Sequence, residues 1–442
     1  PELRGLVAEF ALATTDIPAS GRCRAGGAGR EIEAQCVMSH RCSAPDTCAR
    51  PKPPTAASLS RARYALFAGG FTVFCLLYYI QALLPVFSDA YGVTPAQSSL
   101  ALSLTTGVMA FALLVSGVIS DAIGRKRIMF LSLFLSSSLT IAMAFSPNWT
   151  TLLTIRLAMG ISLCGVQSVA IAYMSEEFDP TAFAASLGLF IAGSALGGMF
   201  GRLFAAMIAD HFGWRMAVAL IGLSCLCASL YFRHALPPSR NFVSRGQGSR
   251  QLCDDLAGIL ADQSLLRLFA VGFVIMSGFV TTYNYISYRL VEPPFLLSQT
   301  SIGLVFVVYI FGSIGAAVAG RLVGSYGRPR LLWKFQVVMI CGILLTLVDK
   351  LAVILLGLAV LTFAMFASHS VASGWVSIKA TRSKALAASL YLFAYYQGGS
   401  LIGAAGGLFY VASGWGGVVA LTATIGLLGV LCGLTVDRTS PS

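Results

Sequence analysis

Charge is what this chain has least of. Of its 442 residues only 11% are Asp, Glu, Lys or Arg, while 57% are apolar. Soluble domains carry about 25% charge, so the composition excludes a water-soluble globular protein and indicates one that lives in a membrane. Acids are scarcer than bases, 18 against 30, and histidine numbers four. The net charge of +12 does not point to nucleic acid, because the cations cluster in short loops between apolar runs, as lipid headgroups and topology require. Eleven cysteines are present without a Cys-x-x-Cys pair: Cys23, Cys36, Cys42 and Cys48 lie with His40 near the start of the chain. Cys75, Cys164, Cys225, Cys227, Cys341 and Cys432 fall in apolar runs, where a thiol acts as a small packing group. No disulfide framework follows, and neither a metal nor a cofactor is called for.

What is there, in abundance, is apolar sequence of bilayer-spanning length. Residues 1–60 are rich in Gly, Ala, Pro, Ser and Arg and lack the continuous apolar core of a signal peptide. They are expected to be a disordered leader. The first methionine is Met38, so residues 1–37 are expected to lie upstream of the working protein; peptides from before Met38 in the native protein would overturn that. Beyond the leader, runs of about 17 to 25 residues, enough to span a bilayer, follow one another closely. They cover approximately 64–86, 96–119, 127–146, 150–173, 183–208, 215–233, 267–290, 300–322, 330–348, 351–376, 385–411 and 416–436. These predict an all-α, polytopic fold of twelve helices, referred to as helices 1 to 12. Residues 234–266 read as a linker between a first six-helix bundle (61–233) and a second (267–436), with a tail at 437–442.

With both termini in the cytoplasm, 25 of the 30 Lys and Arg residues fall on that side. The other five are Arg156, Arg202, Arg215, Arg289 and Lys350, and this asymmetry sets the expected orientation. Asn148-Trp149-Thr150 matches a glycosylation sequon but lies too near the membrane to carry weight.

The chain also repeats itself at an offset of 203 residues. The turn Gly117-x-x-x-Asp121-x-x-Gly124-Arg125-Lys126-Arg127 returns as Gly320-x-x-x-Gly324-x-x-Gly327-Arg328-Pro329-Arg330. Residues 185–190 (Ala-Ser-Leu-Gly-Leu-Phe) return as 388–393 (Ala-Ser-Leu-Tyr-Leu-Phe), and Gln81 falls on Asn284. Two halves repeated in parallel are an architecture of secondary transporters.

The turn from Gly117 to Arg127 resembles the loop 2–3 signature of the major facilitator superfamily, and Leu153-x-x-Arg156-x-x-x-Gly160 resembles its helix 4 motif. More narrowly, Tyr173 to Glu177, Asn284 to Leu290, His369 to Ser373 and Ser389 to Phe393 are similar to the bacterial YnfM-type inner-membrane transporters. The resemblance spans residues 61–436. It implies a midplane cavity lined by helices 1, 4, 7 and 10 between two rocking bundles, in a multi-pass inner-membrane protein that works as a monomer among lipid. Polar groups at membrane depth are costly without partners or water, so the polar residues of those helices are the expected lining: Tyr78, Tyr79 and Gln81; Gln167 and Ser168; Tyr283, Asn284 and Tyr288; Ser368 and Ser370.

A conformational latch is implied around Gly117, Asp121, Gly124, Arg125 and Arg127, with Arg328 in its degenerate echo; Glu176 and Glu177 are candidate partners, or a simple solvated helix end. The resemblance makes Arg156 a participant in proton coupling or binding, against the alternative that it snorkels to water. For Arg202 and Arg289, nearer the helix ends, snorkelling leads. His369 is the only histidine within a helix interior and the best proton carrier, imidazole titrating near neutral pH unperturbed; a neutral hydrogen-bonded role stays open. Helices 1, 4, 7 and 10 hold no embedded Asp or Glu, which counts against proton antiport. The glycines Gly188, Gly193, Gly197, Gly198 and Gly201 partly resemble the antiporter motif, with Arg202 after the last of them, and they are equally a close-packing surface, like Gly398, Gly399, Gly403, Gly406 and Gly407.

Together these features lead to the expectation of a secondary transporter moving a small drug-like compound or metabolite by alternating access, with export by proton antiport as the leading mode. The alternative is proton-coupled uptake or facilitated diffusion of a sugar or organic acid. No nucleophile or acid–base constellation appears that would make an enzyme, and the extensions are short for a receptor.

Overall fold

The computed structural model describes residues 56–239, 249–381 and 383–436, and among these the regular structure is helical throughout. The expectations for residues 1–55 and for the tail lie outside this range. Ten helices are long and apolar enough to cross a membrane. One of them, Lys384–Thr435, runs for 52 residues but breaks at Ser413 and Gly414 (φ −142° and 60°), so it makes two passes. A further helix, Arg328–Leu345, carries Arg328, Arg330 and Lys334 at one end and is otherwise apolar. The twelve segments expected from the sequence are therefore all present.

We label them α1 (Leu59–Tyr91), α2 (Pro95–Ile123), α3 (Arg125–Met143), α4 (Trp149–Glu177), α5 (Pro180–Phe212) and α6 (Trp214–Ala235). The second six are α7 (Gln263–Val291), α8 (Gln299–Tyr326), α9 (Arg328–Leu345), α10 (Leu351–Lys379), and α11 (384–412) and α12 (415–435), the two arms of the kinked helix. The helix containing α1 already begins at Ala56, inside the expected leader. In the linker, the amphipathic stretch forms the helix Ser249–Ala261.

Helix starts follow capping chemistry. The side chains of Thr94, Asn148, Asp179, Asp262, Ser298 and Ser383 each accept from an orphan backbone N–H of the helix they precede. The repeated basic turn is repeated in backbone geometry as well. Gly124 and Gly327 take positive φ (96° and 76°), and their N–H groups donate to Ser120 O at 3.0 Å and Val323 O at 3.1 Å, atoms themselves 203 residues apart. A side chain at either glycine would meet the left-handed penalty.

Packing obeys the same repeat. Within the first six helices α2 packs on α4, α3 on α4 and α6, and α5 on α1; within the second six α8 packs on α10, α9 on α10 and α12, and α11 on α7. Across the halves α2 meets α11 and α5 meets α8, again a related pair. Close crossings rest on glycine: a Cβ at Gly197 would come within 2.1 Å of Phe71 O, and one at Gly398 within 2.0 Å of Phe273 O. These contacts give the two glycine stripes a packing role. Large apolar side chains such as Leu220, Leu223, Leu427, Leu428 and Leu431 are exposed on the outer surface, where hydrocarbon takes the place of water.

Candidate functional site: a guanidinium cage between the halves

Two of the long helices are locally overwound. In α1 the stretch Tyr79–Leu83 is 3-10 helix, and in α8 the stretch Phe306–Tyr309 is as well. Mid-helix 3-10 turns mark hinges or strain, and these two, from opposite halves, converge on one side chain, Arg202 of α5. Its guanidinium lies over the Tyr78, Phe306 and Tyr309 rings at 4.6, 5.2 and 4.3 Å. Its Nε donates to Gln81 Oε1 at 2.8 Å and its Nη1 to Gly198 O at 2.6 Å. Gln81 in turn donates through Nε2 to Asn284 Oδ1 at 2.7 Å. The two residues that the 203-residue offset superimposes thus touch, and through them α5, α1 and α7 are joined across the halves.

Arg202 is only 1% exposed, so the snorkelling expected of it is wrong. Arg289, itself 8% exposed, does extend to the helix-end loop: it donates to Asp349 Oδ1 at 2.6 Å, a side chain 71% exposed, and to the carbonyls of Thr346 and Leu347, and it lines a pocket of about 590 Å³ with Glu292, Tyr410 and Trp415. The apolar surroundings of Arg202 carried no signal of this arrangement; the hint was an arginine following Gly201 on the glycine face that packs against α1.

Arg156 is fully buried, but within the first half. Its Nε donates to Ala101 O at 2.6 Å, Nη1 to Leu76 O at 3.3 Å and Nη2 to Leu77 O at 3.2 Å. Leu76 and Leu77 precede the 3-10 stretch of α1, where carbonyls lose their i+4 partners. Arg156 caps the break. Tyr79 belongs to the same interior, its hydroxyl on Met143 Sδ at 3.8 Å and its ring 5.9 Å from the Arg156 guanidinium, and so stands apart from the cavity lining expected of it.

The other expected lining residues divide similarly. Tyr396 donates to Gln167 Oε1 at 3.2 Å across the halves. His369 is half-buried, its Nδ1 3.0 Å from the Tyr391 hydroxyl and its ring 4.5 Å from that of Tyr395, which lies 5.3 Å from Tyr396. Gln167, Tyr396, Tyr395 and His369 therefore form a continuous polar and aromatic run. Ser168 spends its hydroxyl on Cys164 O at 3.0 Å, and Ser368 is buried with its hydroxyl unpartnered. Ser370 is half-buried and lends its carbonyl to Ser373 Oγ. Tyr283 is in the interior of the second half, 2.7 Å from Thr362 Oγ1. Tyr288 reaches Ser88 Oγ at 2.7 Å and donates to Leu84 O at 2.8 Å. This makes it part of the seal between the halves near the 91 and 299 ends of α1 and α8, rather than cavity lining. Gln299 to Ala82 O, and Thr300 to Asp210, lie in the same seal.

At the opposite, basic-turn face, Arg125 makes a bidentate pair with Glu176 (Nη2 to Oε1 2.9 Å, Nε to Oε2 3.2 Å) and donates to Ser120 Oγ. The pair joins α3 to α4 within one half. Glu177 and Arg328 are half-buried and Arg127 is exposed. The surroundings of Gly117 and the side chain of Asp121 lie outside what the structure describes. Lys126 donates to Leu236 O, and Tyr173 to Pro237 O at 2.9 Å, which ties the start of the linker to this face.

The Major Facilitator Superfamily profile matches residues 66–402. The chain is 42% identical over 358 residues to the uncharacterized MFS-type transporter YybF of Bacillus subtilis, covering 81% of this chain and 89% of that protein. It is 41% identical to the inner membrane transport protein YnfM of Escherichia coli, with 86% and 91% covered. Its fold matches the inward-facing, unoccupied crystal structure of a bacterial homologue of the human lysosomal transporter Spinster with a TM-score of 0.72, at 15% identity and covering 88% of this chain and all of that one. The chain is a multi-pass membrane transporter and belongs to the Major Facilitator Superfamily.

Proposed function

We propose that the protein exports a small organic solute across the bacterial inner membrane by alternating access, in exchange for protons, with both termini in the cytoplasm. The observation that carries this reading is the junction at Gln81. A single amide receives Arg202 from its own half and bonds Asn284 of the other, at a level where both halves contribute overwound turns. A solute entering between Tyr78 and Tyr309 meets groups from both halves and is positioned to couple its binding to their rocking.

Protons are the coupling ion in this reading because His369 is joined through the Tyr395 and Tyr396 rings to Gln167 and so to the same cleft. Imidazole is the group in that run able to take up and release a proton without an embedded acid. Arg125 and Glu176 serve as part of the latch at the cytoplasmic face.

Proteoliposomes loaded with a pH-sensitive dye test the reading. Solutes from a panel of drug-like compounds and metabolites are expected to dissipate a preset pH gradient in the wild type and not in His369→Ala. Counterflow of one of those solutes without proton movement would replace antiport by facilitated diffusion, and co-directional proton and solute movement would replace export by uptake.

A further inference from the structure

Among the described residues three arginines are buried in the helical body, and in two of them the guanidinium is well engaged. Arg156 donates from all three nitrogens to carbonyls, and Arg289 pairs with Asp349. Arg202 is different. It has one amide oxygen, one backbone carbonyl and three ring faces; its Nη2 has no hydrogen-bond partner and its charge no carboxylate among the described residues. Aromatic faces attract a guanidinium but do not neutralise it. A buried cation of this kind is held at a desolvation cost that a matching anion repays.

The second orphan at the same place is also a donor. Tyr309, whose ring lies 4.3 Å from the Arg202 guanidinium carbon, has a buried hydroxyl without a partner among the described residues. A guanidinium N–H and a phenolic O–H left over on two residues in contact, with no acceptor for either among the described residues, describe the complement of a carboxylate. The walls describe the rest of the ligand. The rings of Tyr78, Phe306 and Tyr309 already lie over the guanidinium, so the surroundings of its remaining donor are aromatic, which suits a ligand with an aromatic body.

Deepening the reading that solute enters between the halves, we propose that Arg202 anchors the carboxylate of a small planar monoanion, with Tyr309 as its second donor. Arg202 belongs to the first half and Tyr309 to the second. The carboxylate therefore bridges the halves at their two overwound turns, and Arg202 is a specificity-determining residue for anions. Arg156 is given no part in binding, since each of its three nitrogens already donates to a carbonyl of the first half.

The test is equilibrium binding to the purified full chain in detergent, followed as the ligand-induced shift in unfolding temperature, with benzoate as probe and benzamide as its neutral isostere. Benzoate is expected to give a saturable upward shift and benzamide none. Arg202→Gln should abolish the benzoate shift. Arg202→Lys, which keeps the charge but loses the planar fork, should weaken apparent affinity by roughly tenfold, and Tyr309→Phe should weaken it by several-fold. If Arg202→Gln fails to fold, Arg202→Lys and Tyr309→Phe carry the test. Equal shifts from benzoate and benzamide, no benzoate shift up to about 10 mM, which corresponds to binding too weak to anchor a solute, or unaltered benzoate binding in Arg202→Lys and Tyr309→Phe would each overturn the proposal. Binding at equilibrium needs neither protons nor vectorial transport. Benzoate binding without proton movement would therefore sink the antiport reading and leave this one standing, and proton-coupled transport of uncharged solutes alone would do the reverse.

Discussion

Arg156 and Arg202 have the same side chain, similar burial and opposite circumstances. Arg156 hydrogen-bonds carbonyls at the point where α1 passes into 3-10 geometry, so its removal leaves buried acceptors without donors. Arg156→Met is expected to destabilise the protein by about 1–3 kcal/mol, the desolvation cost of orphaned buried polar groups, with Arg156→Lys recovering part of it. Thermal unfolding in detergent measures this, and wild-type stability in Arg156→Met would refute the capping role. The linear sequence did not separate the two residues. A helical arginine a turn or two from a membrane face can snorkel, cap or bind, and the choice depends on which carbonyls a neighbouring helix presents. His369 was legible as the only embedded histidine, but its partner Tyr391 sits 22 residues away on the next helix.

At the scale of helices, the glycines of α5 divide into those that touch and those that do not. A Cβ at Gly197 would collide with Phe71 O at 2.1 Å and one at Gly193 with Phe67 O at 2.3 Å, whereas Gly188 has nothing within 4 Å. Backbone atoms cannot move aside as a flexible side chain does. Gly197→Ala is therefore expected to force α5 away from α1 and destabilise by about 1–3 kcal/mol, the range for overpacked sites. Gly188→Ala should gain roughly 0.5–1 kcal/mol of helix propensity. Opposite signs for the two alanines, read from unfolding temperatures, would distinguish a packing surface from a motif required for coupling. The pattern of spaced small residues was visible in sequence, as were the twelve passes, since hydropathy and bilayer thickness fix both. Of the overwound turns, that of α1 was announced by Pro85, which has no N–H to bond Gln81 O four residues back, whereas Phe306-Val307-Val308-Tyr309 in α8 carries no proline or glycine to announce a break.

For the whole molecule, the repeat is the organising fact: the 203-residue offset is legible in the sequence, and in the structure Gly124 and Gly327 share a turn geometry while Gln81 and Asn284 share a hydrogen bond. The offset could align these residues but could not say that they touch, since repeats in parallel fix equivalence and leave the distance between halves open. In the structure the seal formed by Ser88 with Tyr288, Asp210 with Thr300 and Ala96 against Gly407 joins the halves at the face away from the basic turns. If the halves rock about the level of Gln81, breaking that seal must bring the basic-turn ends of α4 and α10 together. Spin labels at exposed Ser175 and Ser377 report on the basic-turn face, and labels at exposed Phe145 and Leu296 report on the other. Under a shifting equilibrium, such as protonation or added solute provides, the distance between positions 175 and 377 is expected to shorten as that between 145 and 296 lengthens, in one reciprocal change of population. Pulsed dipolar spectroscopy in lipid nanodiscs measures both. Distances that change on one face only, or in the same direction on both, would exclude rocking about this level and with it the role given to the Gln81 junction.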